Sequence, residues 1–167
     1  MVYDEETLTA YHEAGHAVIG YALGGSIERI QLGGDAEGSL PGQFGDCLVN
    51  WGPVSNACSW QIQREMMTIL AGPVAEMIYR GEPLHPAHYP PWQNDWHQAM
   101  ETCKSGVADP KLRSRLLEEM VRYLHRELSS DSCWAAIAAV ADELLAHEYL
   151  EQEQLTDALD FWLGRAG

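Results

Sequence analysis

The sequence predicts a single, mainly α-helical domain, residues 1–167, with a small β-hairpin or short sheet after the first helix. Three observations support this fold class. Apolar residues recur at helical spacing in several stretches, which begin or end at capping residues or glycines. Apolar and polar residues alternate between about residues 27 and 49, beside glycines. A chain of 167 residues is also long enough to bury one sizeable core.

The first predicted helix runs from about Glu5 to Leu23 and stops at Gly24-Gly25. The segment Ile27–Leu32 then alternates as a short strand, and Gln43–Val49 is its expected partner across a glycine-rich connection. The glycines between residues 33 and 45 are expected to make that edge of the sheet mobile.

Five further helices are predicted from the same spacing: Trp60–Tyr79, one that starts at Asn94, Lys111–Leu128, Ser132–Tyr149 and Glu153–Leu163. Residues 81–93 contain four prolines and are expected to form an irregular loop. The helices 111–128 and 132–149 are both amphipathic, and the short turn between them suggests an antiparallel pair.

The segment His12-Glu13-Ala14-Gly15-His16 places an H-E-x-x-H pattern on the first predicted helix. Residues four apart share a helix face, so His12 and His16 can direct two imidazole nitrogens at one metal ion. Glu13 is rotated by roughly 100° from His12, and its carboxylate can reach a metal-bound water without ligating the metal. Two neutral nitrogen ligands, an open position and a base are what zinc-dependent hydrolysis requires.

A zinc ion held by two histidines needs at least one more protein ligand, which must come from outside the first helix. The candidates are Asp95, Glu76, His85, His88 and His97. On the residues alone, Asp95 and Glu76 are equally supported. Asn94 is a good N-cap, so Asp95 would be held in the first turn of a helix and aimed rigidly at a metal. The alternative is that Asp95 is an ordinary acid at a helix start, where the helix dipole favours it without any metal.

Glu76 lies in an otherwise apolar stretch, where an unpaired acid would be costly. It could accept a hydrogen bond from a ligand imidazole or lie on a polar surface of its helix, and both interpretations stay open. The three loop histidines are most simply ordinary loop residues, although one could hold substrate or stabilise an oxyanion.

Tryptophans are frequent in this chain, and core or loop packing is the simplest interpretation for Trp51, Trp60, Trp92 and Trp96. Trp92 and Trp96 are close enough to Asp95 in sequence that they could instead line a substrate pocket.

The residues around these positions resemble a known family. The segment Ala10–Gly20 looks like the metal helix of the FtsH-type zinc metallopeptidases, the proteolytic domain of membrane-anchored AAA proteases. Leu70–Gly81 is similar to the family's second helix, with its Ala-Gly-x-x-Ala-Glu pattern. Asn94-Asp95 followed by Ala99 resembles the family's Asn-Asp-x-x-x-Ala signature, whose Asp is the third zinc ligand. The blocks agree in order and spacing, and the resemblance covers roughly residues 7–106.

The resemblance implies a helical, zincin-like metallopeptidase domain with zinc held by His12, His16 and Asp95. Zinc would polarise the scissile carbonyl and acidify its bound water, and Glu13 would act as general base and then as acid. The implied substrate is an unfolded or extended polypeptide. In relatives it pairs with an edge strand beside the zinc, for which Ile27–Leu32 or the strand after it is the candidate here.

The sequence departs from this family in lacking its other modules. It contains no G-x-x-x-x-G-K-[ST] loop, no secretory signal pattern and no apolar run of membrane-span length. We therefore expect a stand-alone, cytoplasmic peptidase domain without membrane contact, for which a separate ATPase partner would supply any unfolding activity. The alternatives are a zinc-binding adaptor or non-proteolytic partner module of an AAA-type ATPase or protease, and a structural zinc protein. The presence of Glu13 favours the enzyme.

Composition limits the remaining partners. A formal charge of −15 argues against nucleic acid, whose recognition requires a basic face, while a homo-oligomer stays open. The cysteines show no C-x-x-C spacing, which excludes a zinc knuckle and a redox pair of that type. Mostly apolar surroundings suggest buried thiols in a reduced compartment, and pairing stays open for Cys47, Cys58, Cys103 and Cys133.

Overall fold

Helices dominate the structure, a computed structural model that describes residues 2–33, 43–44, 46–55 and 58–164. Within these ranges the chain forms six α-helices and a small antiparallel sheet, so the predicted fold class is confirmed. Most of the glycine-rich connection that was expected to be mobile lies outside the described residues.

The elements follow one another in the order α1 (Glu5–Ala22), β1 (Ser26–Gln31), β2 (Gln43–Phe44), β3 (Cys47–Asn50), α2 (Ser59–Arg80), a 3₁₀ turn (Pro90–Trp92), α3 (Gln93–Lys104), α4 (Pro110–Leu128), α5 (Asp131–His147), β4 (Tyr149–Glu151) and α6 (Gln152–Leu163).

The core is organised around the pair of helices α1 and α2. Helix α1 begins at Asp4, whose carboxylate accepts the backbone N–H of Thr7, and α2 ends at Gly81 with a left-handed φ of 68°. The two helices approach closely at Gly15, where a Cβ would lie 2.5 Å from the carbonyl oxygen of Ala71. Only glycine permits this contact, which brings the H-E-x-x-H face of α1 against α2.

The sheet has the strand order β2-β3-β1-β4, and every neighbouring pair is antiparallel. Strand β1 is therefore internal, since Ile30 pairs with Cys47 on one side and with Leu150 on the other. The prediction that Ile27–Leu32 could be a free edge for substrate is wrong. Its physical cause is β4, a strand that the sequence analysis did not predict and whose first residue, Tyr149, it placed at the end of a helix. Helix α5 instead ends at Glu148, whose φ of 61° turns the chain back onto β1.

The start of α3 also differs from its prediction. The N-cap is Trp92 rather than Asn94, because the 3₁₀ turn begun by Pro90-Pro91 runs directly into the helix. Asn94 therefore lies inside the first turn. Asp95 still falls in that first turn, as expected, and it is buried.

The later helices do not form an isolated antiparallel pair. Helix α4 packs mainly against α2, and α5 packs mainly against α1 and α6. Each therefore covers a different side of the central α1–α2 pair, and its apolar face contributes to the same core.

Two expectations about individual side chains need correction. Trp60 is not packed in the core but is 49% exposed, and Cys58 is exposed at the start of α2. All four cysteines lie among the described residues and are free thiols. Among the described residues, no helix combines the length and apolar character that crossing a membrane requires.

Candidate metal centre

The two histidines of the H-E-x-x-H pattern lie on one face of α1, directed at α2. Their rings are 4.9 Å apart between centroids and nearly perpendicular, at 76°. Potential ligand atoms of His12, Glu13 and His16 all lie within 4.8 Å of one another. Buried surroundings enclose the group, since His16 has no exposed surface and Glu13 is only 5% exposed.

Asp95 is brought to this pair from the first turn of α3. Its Oδ2 lies 3.1 Å from Nε2 of His12, and its Oδ1 lies 3.7 Å from Nε2 of His16. One carboxylate thus faces the Nε2 atoms of both imidazoles. Two imidazole nitrogens and one carboxylate are a donor set that suits zinc, and these three side chains could hold such an ion.

The opposite ring nitrogens are held by other groups. Nδ1 of His16 lies 2.8 Å from the carbonyl oxygen of Thr68, which can only accept, so Nδ1 donates and carries the proton. Nδ1 of His12 lies 3.1 Å from Oε2 of Glu76. Such contacts orient the rings so that Nε2 is the nitrogen available to a metal, as in known metal sites.

The two acids that the residues alone could not separate take different positions. Asp95 faces Nε2 of the histidines, whereas Glu76 faces Nδ1 of His12 from the other side of the ring. Glu76 is buried, and its carboxylate also accepts hydrogen bonds from Trp92 at 2.7 Å and Arg80 at 3.2 Å. Burial raises the pKa of Glu76, but His12, Trp92 and Arg80 outweigh it and hold the pKa below its usual range.

Helix α2 leaves room for the candidate ligands at Gly72. A Cβ at this position would lie 2.4 Å from Nε2 of His16 and 2.8 Å from Nε2 of His12. Any side chain here would occupy the space into which both nitrogens point. The position thus fits a metal site, because it keeps both Nε2 atoms accessible to an ion.

Glu13 lies beside these groups, and the turn before β3 holds it. Its Oε2 accepts the backbone N–H of Asp46 at 3.1 Å. Burial raises the pKa of Glu13 to about 8, and the charges of Asp46 and Asp95 add to this effect, against the opposing charge of His12. A carboxylate with such a pKa can take up a proton near neutral pH.

Without a metal, the surroundings shift the pKa values of the two histidines in opposite directions. Burial alone lowers the pKa of His12, but Asp95 and Glu76 outweigh it and hold the pKa well above 6.5. Burial and the charge of His12 lower the pKa of His16 to about 4. Burial also raises the pKa of Asp95, yet His12 outweighs it and the net shift is downward. A proton on His12 thus bridges the two acids.

The loop histidines have other surroundings. His85 lies 3.3 Å from Glu118 on α4, and its ring contacts those of His88 and Trp96. His97 is exposed on α3. Both Trp92 and Trp96 are buried, in agreement with the packing interpretation of the sequence.

Several residues of this site were not singled out by sequence. Thr68 acts through its backbone carbonyl, and Asp46 through its backbone N–H, so their side chains carry no signal for these contacts. Arg80 had a local signal, since it lies four residues after Glu76 on the same helix. The hydrogen bond from Trp92 to Glu76 depends on how the proline-rich loop folds back.

Comparison with known proteins leaves the family unassigned: no protein-family model matches the chain, and no curated protein matches it. The resemblance to FtsH-type peptidases therefore stays a prediction from three sequence blocks.

Proposed function

We propose that this protein is a zinc-dependent metalloendopeptidase of the FtsH type, which hydrolyses peptide bonds in unfolded or extended polypeptides. The observation that carries the proposal is the position of the Asp95 carboxylate, opposite Nε2 of both His12 and His16. Three protein ligands leave a coordination position open for substrate or water, as catalytic zinc sites do. A purely structural site would have no use for the buried acid Glu13 beside these ligands.

In the proposed reaction, zinc supplies Lewis-acid chemistry, because it polarises a carbonyl and acidifies water. Glu13 takes the proton of the attacking water on its carboxylate and delivers it to the leaving amine nitrogen. Its pKa of about 8 applies to the protein alone, and a neighbouring dication would lower it. Glu13 would then be ionised near neutral pH, as a general base must be.

Strand β3 is the proposed platform for the substrate. Its first residue, Cys47, follows Asp46, whose backbone N–H contacts Glu13. Among the described residues, β2 pairs only with Cys47 and Leu48, which leaves Val49 and Asn50 outside that pairing. An extended peptide could add to this free part of the edge, at Val49 and Asn50.

The test is hydrolysis of an unfolded casein-like protein by the purified chain loaded with zinc. We expect cleavage that a chelator abolishes and added zinc restores. Glu13→Gln keeps the shape of the side chain and removes the base, so it should retain zinc but not cleave. Glu6→Gln is the matched control, because Glu6 is exposed on the same helix and should not affect activity.

A protein that binds zinc but cleaves no unfolded substrate would contradict the peptidase proposal and favour the adaptor of a separate ATPase. Cleavage of folded substrates only after addition of an AAA-type ATPase would instead identify that ATPase as the unfolding partner.

A further inference from the structure

We propose that Trp92 is a positioning residue of the metal centre, which acts through Glu76 on His12 and through the start of α3 on Asp95. This inference rests on the proposed function, and it concerns a residue that the sequence pattern left as ordinary packing. The chemistry is that of an orienting hydrogen bond behind a metal ligand.

The first part of the argument is a shared oxygen atom. Oε2 of Glu76 lies 2.7 Å from the indole nitrogen of Trp92 and 3.1 Å from Nδ1 of His12. The indole N–H can only donate, so it directs this oxygen and limits rotation of the carboxylate. Since the same oxygen faces His12, the indole also sets the direction of that imidazole.

The second carboxylate oxygen of Glu76 is held by Arg80 of the same helix, and Arg80 in turn contacts the loop. Oε1 accepts from Nε of Arg80 at 3.2 Å, and Nη2 of Arg80 donates to the hydroxyl of Tyr89 at 2.7 Å. The ring of Tyr89 packs edge-on against Trp92, with 4.5 Å between centroids. These four contacts form a closed network. Trp92 and Arg80 both donate to Glu76, Arg80 also donates to Tyr89, and the ring of Tyr89 packs against Trp92.

The third part is the location of Trp92 in the chain. It is the N-cap residue of α3, and Asp95 lies in the first turn of that helix. Trp92 is completely buried, so its indole has a fixed place in the core. The same side chain therefore anchors the helix that presents Asp95 and orients the acid behind His12. Two candidate ligands from distant parts of the sequence depend on one tryptophan.

Trp92→Phe tests this role because it keeps an aromatic ring and removes the N–H. We expect zinc affinity, measured by competition with a chromophoric chelator, to fall by about 10- to 100-fold. The absorption spectrum of the cobalt-substituted protein should change as well. Trp51→Phe is the matched control, since the indole nitrogen of Trp51 is buried with no hydrogen-bond partner among the described residues. An equal loss in both variants would overturn the inference.

A double variant separates positioning from packing. If Trp92 acts on His12 through Glu76, Trp92→Phe should weaken zinc binding much less in a Glu76→Gln background than in the parent. Full additivity of the two losses would mean that Trp92 contributes only packing, and it would contradict the inference.

A measurement on the metal-free protein covers the case in which Trp92→Phe does not fold. The indole N–H signal of Trp92 in a ¹H–¹⁵N spectrum should exchange slowly with solvent and should shift in Glu76→Gln, whereas that of Trp51 should not shift. A Trp92 signal that ignores Glu76→Gln would overturn the inference. Failure of the parent to bind zinc would instead defeat the proposed function, so the two failures are distinguishable.

Discussion

Oδ2 of Asp95 lies 3.1 Å from Nε2 of His12, although the two residues belong to helices α3 and α1, with strands β1–β3 and helix α2 between them in sequence. This pair has a direct consequence for metal binding. In the protein without metal, Asp95 and Glu76 hold the pKa of His12 well above 6.5, against the lowering effect of burial. The raised pKa favours a proton on His12, which a metal ion at this nitrogen would have to displace.

The first prediction is that zinc binding releases this proton and weakens as the pH falls. Below the folded-state pKa of His12, affinity should drop by about tenfold for each pH unit, because zinc must displace one proton. Calorimetric titrations at pH 6 and pH 8, in buffers of different ionisation enthalpy, would measure both quantities. Equal affinity at the two pH values, with no proton release, would refute the predicted competition.

The second prediction concerns Asp95 itself. Asp95→Asn removes the charge of the proposed third ligand and should lower zinc affinity by at least about tenfold, since even substitutions behind a ligand have that effect. Chelator competition gives the affinity, and circular dichroism verifies the fold. Asp157→Asn is the control, because Asp157 is exposed on α6. Unchanged zinc binding in Asp95→Asn would show that another residue is the third ligand.

The third prediction is that Gly72→Ala blocks the centre. The added Cβ would lie 2.4 Å from Nε2 of His16, so the imidazoles or the helices must move apart. We expect loss of zinc binding and destabilisation by about 1–3 kcal/mol from overpacking. At Gly106 the nearest atoms to such a Cβ are 3.8 Å away, an ordinary contact, so Gly106→Ala should bind zinc normally. Normal zinc affinity in Gly72→Ala would contradict the close approach.

The fourth prediction uses the buried acid Glu13 in chelator-treated protein. Its pKa is about 8 in the fold, against 4.5 for an exposed glutamate, so the folded state binds more protons between these values. The contribution of Glu13 to stability is thus complete below pH 4.5 and is lost as the pH rises through 8. Glu13→Gln does not titrate and avoids this loss. It should be more stable than the parent at pH 9, with a smaller or reversed difference at pH 5.

Urea unfolding at the two pH values measures this difference, with Glu101→Gln as the control because Glu101 is exposed on α3. A parent and a Glu13→Gln protein whose stabilities change in parallel between pH 5 and pH 9 would show that Glu13 is not held in a costly ionised state. A parent that is less stable than Glu13→Gln at high pH is typical of groups placed for chemistry rather than for stability.

Local patterns in the sequence were sufficient for the helices and for one half of the candidate site. Helical spacing and caps set the bounds of α1 and α2 to within a residue, because those signals act between neighbours along the chain. The same periodicity places His12 and His16 on one face, with Glu13 beside them. The prediction that Asn94 is the N-cap was wrong, because two prolines just upstream begin a 3₁₀ turn that continues directly into the helix.

Strand β4 could not be predicted in the same way. Its three residues lie between two predicted helices, and only the free side of β1, far away in sequence, gives them a partner. Pairing between distant strands leaves little trace in a short local window.

The sequence by itself determined that an H-E-x-x-H helix exists and that either Asp95 or Glu76 could accompany it. The family resemblance favoured Asp95, and the tertiary structure adds the position of each acid, with Asp95 at Nε2 and Glu76 at Nδ1 of His12. Close packing at Gly15 and Gly72 brings α2 against the histidines. The proline-rich loop, which contacts Glu76 through Trp92, leads into the helix that carries Asp95 to Nε2 of both histidines. Such contacts join residues that are distant in the chain, and spacing rules act only between near neighbours.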